Sequence, residues 1–448
     1  MAETPSSGTV STRQQRIAQL AKQAPQMAFT TLNHYIDLEW LKEAYRRTRK
    51  DGAVGVDGQT ARGYEANLEA NLPSLLNRAK SGTYRAPPVR RVHIPKGTGK
   101  ETRPIGIPTF EDKVLQRAVA MVLEPIYEHD FHESSYGFRP GRSAHQALQS
   151  LWDQVMRTDG RWILEVDIRK FFDTLDHAVL RELVQRRVRD GVLLRLIGKW
   201  LNAGVFEGGQ VTHPEAGSPQ GGVISPILSN IYLHYVLDEW FAQDVQPRMK
   251  GKVFLIRYAD DFVMGFTDET EARRVMDVLP KRFGKYGLTI HPDKTRLIPF
   301  RRPPRTSRQD DSDHGGPGTF DLLGFTHYWG LSLKGNWVVK RKTAKSRFSR
   351  VVRAIHQWCK AHRHRPLAEQ QHSLSQKMRG HYAYYGITGN AYALSRFQDL
   401  VQRIWRTWLG RRKRDGQITW DVFKRLLRRY PLPMAVVVHS VYRRAAKS

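Results

Sequence analysis

A single cysteine, Cys359, in 448 residues leaves no material for a disulfide framework or for a zinc site built on cysteine pairs. No apolar run approaches the roughly 20 residues of a membrane-spanning helix, and the start lacks the apolar core of a secretory signal. The expectation is a soluble, intracellular, cytoplasmic protein with no membrane partner. Acids are scarce as well, 43 against 73 lysines and arginines, for a formal charge of +30. Such self-repulsion calls for a polyanionic partner, nucleic acid first. The seventeen histidines show no metal-ligand spacing, and His362 and His364, set among arginines, read as a solvated basic face. No internal repeat is evident. Residues 1–28 are polar and read as a mobile lead-in, and residues 301–319, rich in Pro, Gly and Asp, as an exposed mobile loop. The 40% apolar content is enough for two or three domains.

The few acids are unevenly placed. Tyr258-Ala259-Asp260-Asp261 lies between apolar runs at 253–256 and 262–266, which read as the strands of a β-hairpin with two carboxylates at its tip. Aspartate forms turns readily, so a solvated turn is the simpler reading of the pair taken alone. Adjacent like charges repel, however, and a divalent cation with hard oxygen ligands relieves that repulsion. The stretch from Trp162 to Ile168 reads as a mostly apolar strand that delivers Asp167 to its C-terminal end; capping of the next helix is the alternative use of that acid. If this strand pairs beside the hairpin, Asp167 and Asp260 could hold two metals about 4 Å apart, as two-metal displacement chemistry requires.

Around these acids, Val89–Pro108 reads as a hairpin, residues 111–128, 143–157, 177–189 and 192–201 as helices, and 162–172 and 253–266 as strands. Leu32–Arg49 has helical spacing followed by a turn at Gly52, Gly55 and Gly58. Residues 340–448 hold 26 lysines and arginines against four acids, so most of the positive charge is C-terminal. There Leu394, Phe397, Val401, Trp405 and Trp408 follow a 3.6-residue period, with Arg396, Arg403 and Arg406 on the other face.

Read in order, Ile94-Pro95-Lys96, Arg103–Pro108, Ser135–Ser143, Asp167–Asp173, Gly217–Gly222 and Tyr258–Asp261 resemble the successive blocks of a group II intron reverse transcriptase. Gly287–Thr289 with Pro292–Thr295, and Leu322–Phe325, resemble the two blocks that follow, and Arg379–Gly386 the signature of the maturase domain. The resemblance covers about residues 30 to 448. It implies an α+β right-hand polymerase fold: an N-terminal extension and the start of the fingers in 1–85, fingers in 86–160, a palm with an antiparallel sheet flanked by helices in 161–338, and an α-helical thumb or maturase domain in 339–448.

The implied reaction is RNA-directed DNA synthesis, in which a primer 3′-hydroxyl attacks a deoxynucleoside triphosphate. Asp167 and Asp260 are then the main ligands of two Mg²⁺ ions, supported by Asp261 and by the backbone carbonyl of Ile168. The resemblance places Lys96 and Arg103 over the triphosphate, Gln220 against the incoming nucleotide and template, Phe172 as a gate against a ribose 2′-hydroxyl, and Lys294 near the pyrophosphate. Arg403, Arg406, Arg411, Arg412 and Arg414 are the expected RNA contacts. Implied partners are group II intron RNA, an RNA template with a DNA primer, and target DNA, in splicing and in retromobility by target-primed reverse transcription in a bacterial cell. Many relatives carry a C-terminal nuclease with cysteine pairs; none is read here, so priming from borrowed 3′ ends is expected. A stand-alone reverse transcriptase of host DNA repair or defence shares the same active site, and a non-enzymatic RNA-binding splicing factor is disfavoured by the three acids.

Overall fold

The computed structural model describes residues 9–95, 102–158, 160–213, 217, 221–304, 318–332, 334–412 and 416–439. They form two compact units, one of residues 1–151 with 162–297, the other of residues 152–161 with 298–448.

In the first unit, a 21-residue helix, Phe110–Asp130, is buried along most of its length and begins at Thr109, whose hydroxyl accepts the Asp112 N–H. A helix over Leu38–Arg47 packs on it: Asp37 accepts the Trp40 N–H at its start, and the Trp40 indole, fully buried, donates to the Ala118 carbonyl at 2.9 Å. The lead-in expected to be mobile is instead helical over Val10–Gln23. Its Ile17 and Ala21, four apart on one face, are buried, and Gln14 donates to the Met121 carbonyl. Two apolar residues at that spacing suffice to dock an otherwise polar helix.

The strands of this unit build two sheets. Val89–Pro95 (β1) and Thr102–Ile107 (β2) form the expected hairpin, with Ile94 opposite Arg103. Trp162–Val166 (β3) ends earlier than expected, because Lys170 takes a left-handed φ of 48° and turns the chain into a short helix, Phe171–Thr174. Val205–Glu207 (β4) and Gln210–Thr212 (β5) extend the first sheet in the order β2-β1-β4-β5. Val253–Tyr258 (β6), Asp261–Phe266 (β7) and Arg296–Pro299 (β8) complete the second, in the order β6-β7-β3-β8. Its β3 and β6 are both antiparallel to β7, and their residues are largely buried, so the acids at their ends emerge from an apolar sheet. The helices His177–Gln185, Gly191–Leu201 and Glu269–Gly284 belong to the same unit.

The second unit carries Phe320–Leu322 (β9), Phe325–Leu331 (β10) and Trp337–Thr343 (β11) as an antiparallel sheet in the order β11-β10-β9. Leu323 and Gly324, both at positive φ, close the β9–β10 hairpin in the manner of a type I′ turn, and the Tyr384 hydroxyl donates to the Leu323 carbonyl. Helices Lys345–His362, Leu367–Tyr385, Ala391–Gly410 and Trp420–Arg429 follow. Their core gathers Cys359, Met378, Tyr382, Phe397, Trp405 and Phe423, so these aromatics of the basic segment are packing residues. Residues 305–317 of the expected loop lie outside the described residues. Among the described residues no helix is long and apolar enough to cross a membrane.

Candidate active site

The register of the second sheet brings the acids together. Val166 pairs with Phe262, and Tyr258 pairs with Asp261 across the two-residue turn Ala259-Asp260. One residue past Val166, Asp167 is therefore level with that turn, and it does not cap a helix: the short helix that follows starts from Lys170. Asp167 accepts a 3.0 Å ion pair from Lys294, and its backbone carbonyl accepts the His291 N–H. Burial pushes the Asp260 carboxyl above its usual range, and the Asp167 charge adds to the rise, against its own backbone N–H and the Arg103 guanidinium. Asp261 opens β7 and is exposed.

A cavity of about 470 Å³ joins Asp167, Ile168, Phe172, Asp260, Lys294 and Arg103. Five of the residues singled out from the sequence thus share one wall with Asp167, although they come from four separate stretches of chain. Lys96 and Gln220 lie outside the described residues. The residues directly after Gln220 are firmly held. At Gly221, with φ of 121°, an added Cβ would sit 2.6 Å from the Gly106 carbonyl oxygen, so only glycine fits. Beyond it the Gln116 amide oxygen accepts the Val223 N–H at 2.8 Å. The sequence reading missed Arg169, Lys170 and His291, which also line the cavity; two adjacent cations just beyond Asp167-Ile168 were the available signal.

It also missed what holds the acidic turn. Arg257, in the otherwise apolar β6, has no exposed surface and forms a bidentate pair with Asp238, also fully buried, at 2.8 and 2.5 Å. The same guanidinium donates to the Asn230 side-chain oxygen and to the Ala259 carbonyl within the turn. Ala259 has φ of 56°, a left-handed conformation that costs free energy without glycine, so the turn persists because this buried network and the pressing backbone of Gly137 over-determine it. A charge inside an apolar strand was the signal.

The basic segment has uneven roles. Arg403 and Arg411 are exposed, Arg411 against the Trp408 ring, and Arg406 lies over the Trp420 ring at 4.1 Å. Arg412 is committed inward: it donates to the Arg363 and Arg365 carbonyls beyond the Lys345–His362 helix, and burial lowers its pKa. Arg414 lies outside the described residues. Asp167, Asp173 and Asp260 line the same cavity and carry hard oxygen donors suited to Mg²⁺, while among the described residues no group of three or more His, Cys, Asp or Glu could hold a metal unaided. Substrate phosphate oxygens and water would have to complete such a shell.

The family model for "Reverse transcriptase (RNA-dependent DNA polymerase)" matches residues 94–327. The chain is 38% identical to protein YkfC of Escherichia coli K12, over 64% of this chain and 84% of that one. It is 38% identical to the group II intron-encoded protein LtrA of Lactococcus lactis over 51% of this chain and 38% of the other, and 32% identical to a putative COX1/OXI3 intron 1 protein of Saccharomyces cerevisiae over 48% and 26%. It therefore spans much less than two thirds of the two intron proteins. The family match extends from the β1–β2 hairpin past the acidic turn, and the sheets with their flanking helices are those of a right-hand polymerase fold. This chain belongs to the reverse transcriptase family, RNA-directed DNA polymerases, on the branch that includes group II intron-encoded proteins.

Proposed function

We propose that the chain copies RNA into DNA at the cavity bounded by Asp167 and Asp260, and that it binds a group II intron RNA to promote its splicing and retromobility. The observation that carries the first part is the convergence of Asp167, Asp260, Arg103, Lys294 and Phe172 on one cavity. Asp167 and Asp260, with the Ile168 carbonyl and Asp261 in support, would hold two Mg²⁺ ions, which supply Lewis acidity at the primer 3′-hydroxyl and offset charge on the departing pyrophosphate. Arg103 and Lys294 present cations to the triphosphate, with Lys96 and Gln220 assigned to the same nucleotide by resemblance alone. Catalysis by the protein is then mainly positioning and electrostatics.

The splicing role rests on the relatives encoded in introns and on the basic helical unit, where Arg403, Arg406, Arg411 and Arg414 are the proposed RNA contacts. Residues 1–85 serve as the extension and the start of the fingers, 86–160 as fingers, 161–338 as palm and 339–448 as thumb or maturase domain. Target DNA, primer and template are the further partners, in a bacterial cytoplasm. Primer extension on an RNA template by the Asp260→Ala protein tests the site, alongside RNA binding by the same protein. Extension is expected to vanish while RNA affinity persists; undiminished extension would sink the assignment.

A further inference from the structure

The segment Ser134–Arg142 inverts the usual burial pattern. Arg139 is only 6% exposed, whereas Phe138 beside it is 56% exposed. Phe138 also has φ of 57°, a left-handed conformation that is an outlier for a bulky side chain and costs free energy. A ring held outward on strained backbone needs firm anchors, and each neighbour supplies one. Tyr136 donates its N–H to the Arg257 carbonyl, and the Arg257 N–H returns to Ser134, both at 2.9 Å, so the segment runs along β6. The Asn230 amide donates to the Gly137 carbonyl at 2.7 Å, and a Cβ on Gly137 would fall 2.3 Å from the Ala259 nitrogen. The buried Arg139 holds Glu128 in a two-pronged pair and donates to the His132 and Ser135 carbonyls.

The segment is thus pressed onto the acidic turn itself, and Phe138 stands at its outer surface with its ring 6.5 Å from that of Tyr258. Folding alone does not account for this ring, which is mostly in solvent where glycine or asparagine would hold the backbone at lower cost. We propose that Phe138 is a preorganised stacking platform for the primer strand near its 3′ end. The occupant follows from position: the reacting 3′-hydroxyl must reach Asp260, one residue beyond the Ala259 backbone on which Gly137 rests, so the last primer nucleotides pass this ring. Stacking on a base or sugar face is indifferent to sequence, as a polymerase needs.

The inference rests on the polymerase reading of the Asp260 site, and the test separates the two. Equilibrium binding of a primer–template carrying 2-aminopurine near the primer 3′ end, or at the facing template position, is compared for the wild type, Phe138→Gly, Phe138→Asn and Phe138→Tyr. Both Phe138→Gly and Phe138→Asn tolerate the left-handed backbone, so neither should unfold, and Phe138→Gly should melt no lower than the wild type. The primer–template Kd is expected to rise about fivefold or more in both, since one stacked base contributes roughly 1–3 kcal/mol. Quenching of the primer reporter should be lost, and Phe138→Tyr should restore both. In steady state the rise should fall on the KM for primer–template and not on that for the nucleotide. Unchanged affinity in Phe138→Gly overturns the proposal, and a change confined to the template reporter overturns the strand assignment. Extension that survives Asp260→Ala would instead overturn the polymerase site, whatever Phe138 does.

Discussion

At the level of single residues, the proposed gate against a ribose 2′-hydroxyl is Phe172. It stands on the short helix that Lys170 starts, in the wall shared with Asp167 and Asp260, and its ring is braced edge-on by Phe171 at 5.3 Å. Phe172→Val is therefore expected to lower the preference for deoxyribonucleotides by about tenfold or more, a difference of about 1.4 kcal/mol, in matched single-nucleotide incorporation assays. An equal ratio in an active variant would remove Phe172 from that role. Phe172 was legible from its distance to Asp167; Arg257 was not, because a lone arginine in an apolar strand reveals its burial but not its partner.

At the scale of the element, the β6–β7 hairpin is the part most exposed to failure. A fully buried ion pair contributes little net stability once desolvation is counted, yet removing one partner strands the other. Asp238→Ala should lower unfolding free energy by about 3–5 kcal/mol in urea titrations. Replacing both partners, Arg257→Met with Asp238→Leu, should recover most of that loss while primer extension stays impaired, because the Ala259 carbonyl has lost its donor. Full activity in the double variant would show that the network serves the fold alone. The helical unit makes a parallel distinction. Arg412→Gln should lower stability, since its guanidinium holds carbonyls past a helix end, whereas Arg411→Gln should leave stability within about 0.5 kcal/mol as an exposed substitution.

For the whole molecule, charge and burial set the response to solvent. Substituting Arg403, Arg406 and Arg411 by Gln should weaken RNA binding and flatten the plot of log K against log salt by about 0.7 per lost contact on single strands. An unchanged slope in filter-binding titrations would mean that these side chains face away from the RNA. Acid stability follows from His327, fully buried against Phe320 with neither ring nitrogen hydrogen-bonded among the described residues; burial and then the Arg341 charge push its pKa down to about 3. Its folded pKa lies below the unfolded value, so this contribution is full above about pH 6.5 and is lost as pH falls toward 3. His327→Leu should narrow the difference in unfolding free energy between pH 8 and pH 5 by about 2 kcal/mol. The raised carboxyl of Asp112, at about 6, acts in the opposite sense but is common to both proteins and cancels in the comparison.

The amino-acid sequence determined the β1–β2 hairpin, β3, the helices Phe110–Asp130 and Ala391–Gly410, the hairpin that carries Asp260 and the chemistry of its acids, because periodicity, turn residues and charge are local properties of the chain. It also carried the order of motifs, from which the polymerase family and six of the residues lining the cavity could be named. Tertiary structure alone decided which charges are buried and with whom. Arg257 meets Asp238 from 19 residues away, and Phe138 is turned outward by contacts with β6 and Asn230. Residues 10–23 become a helix because Ile17 and Ala21 find a buried partner surface. Pairings of this kind depend on which surfaces exclude water together, and no local pattern encodes that.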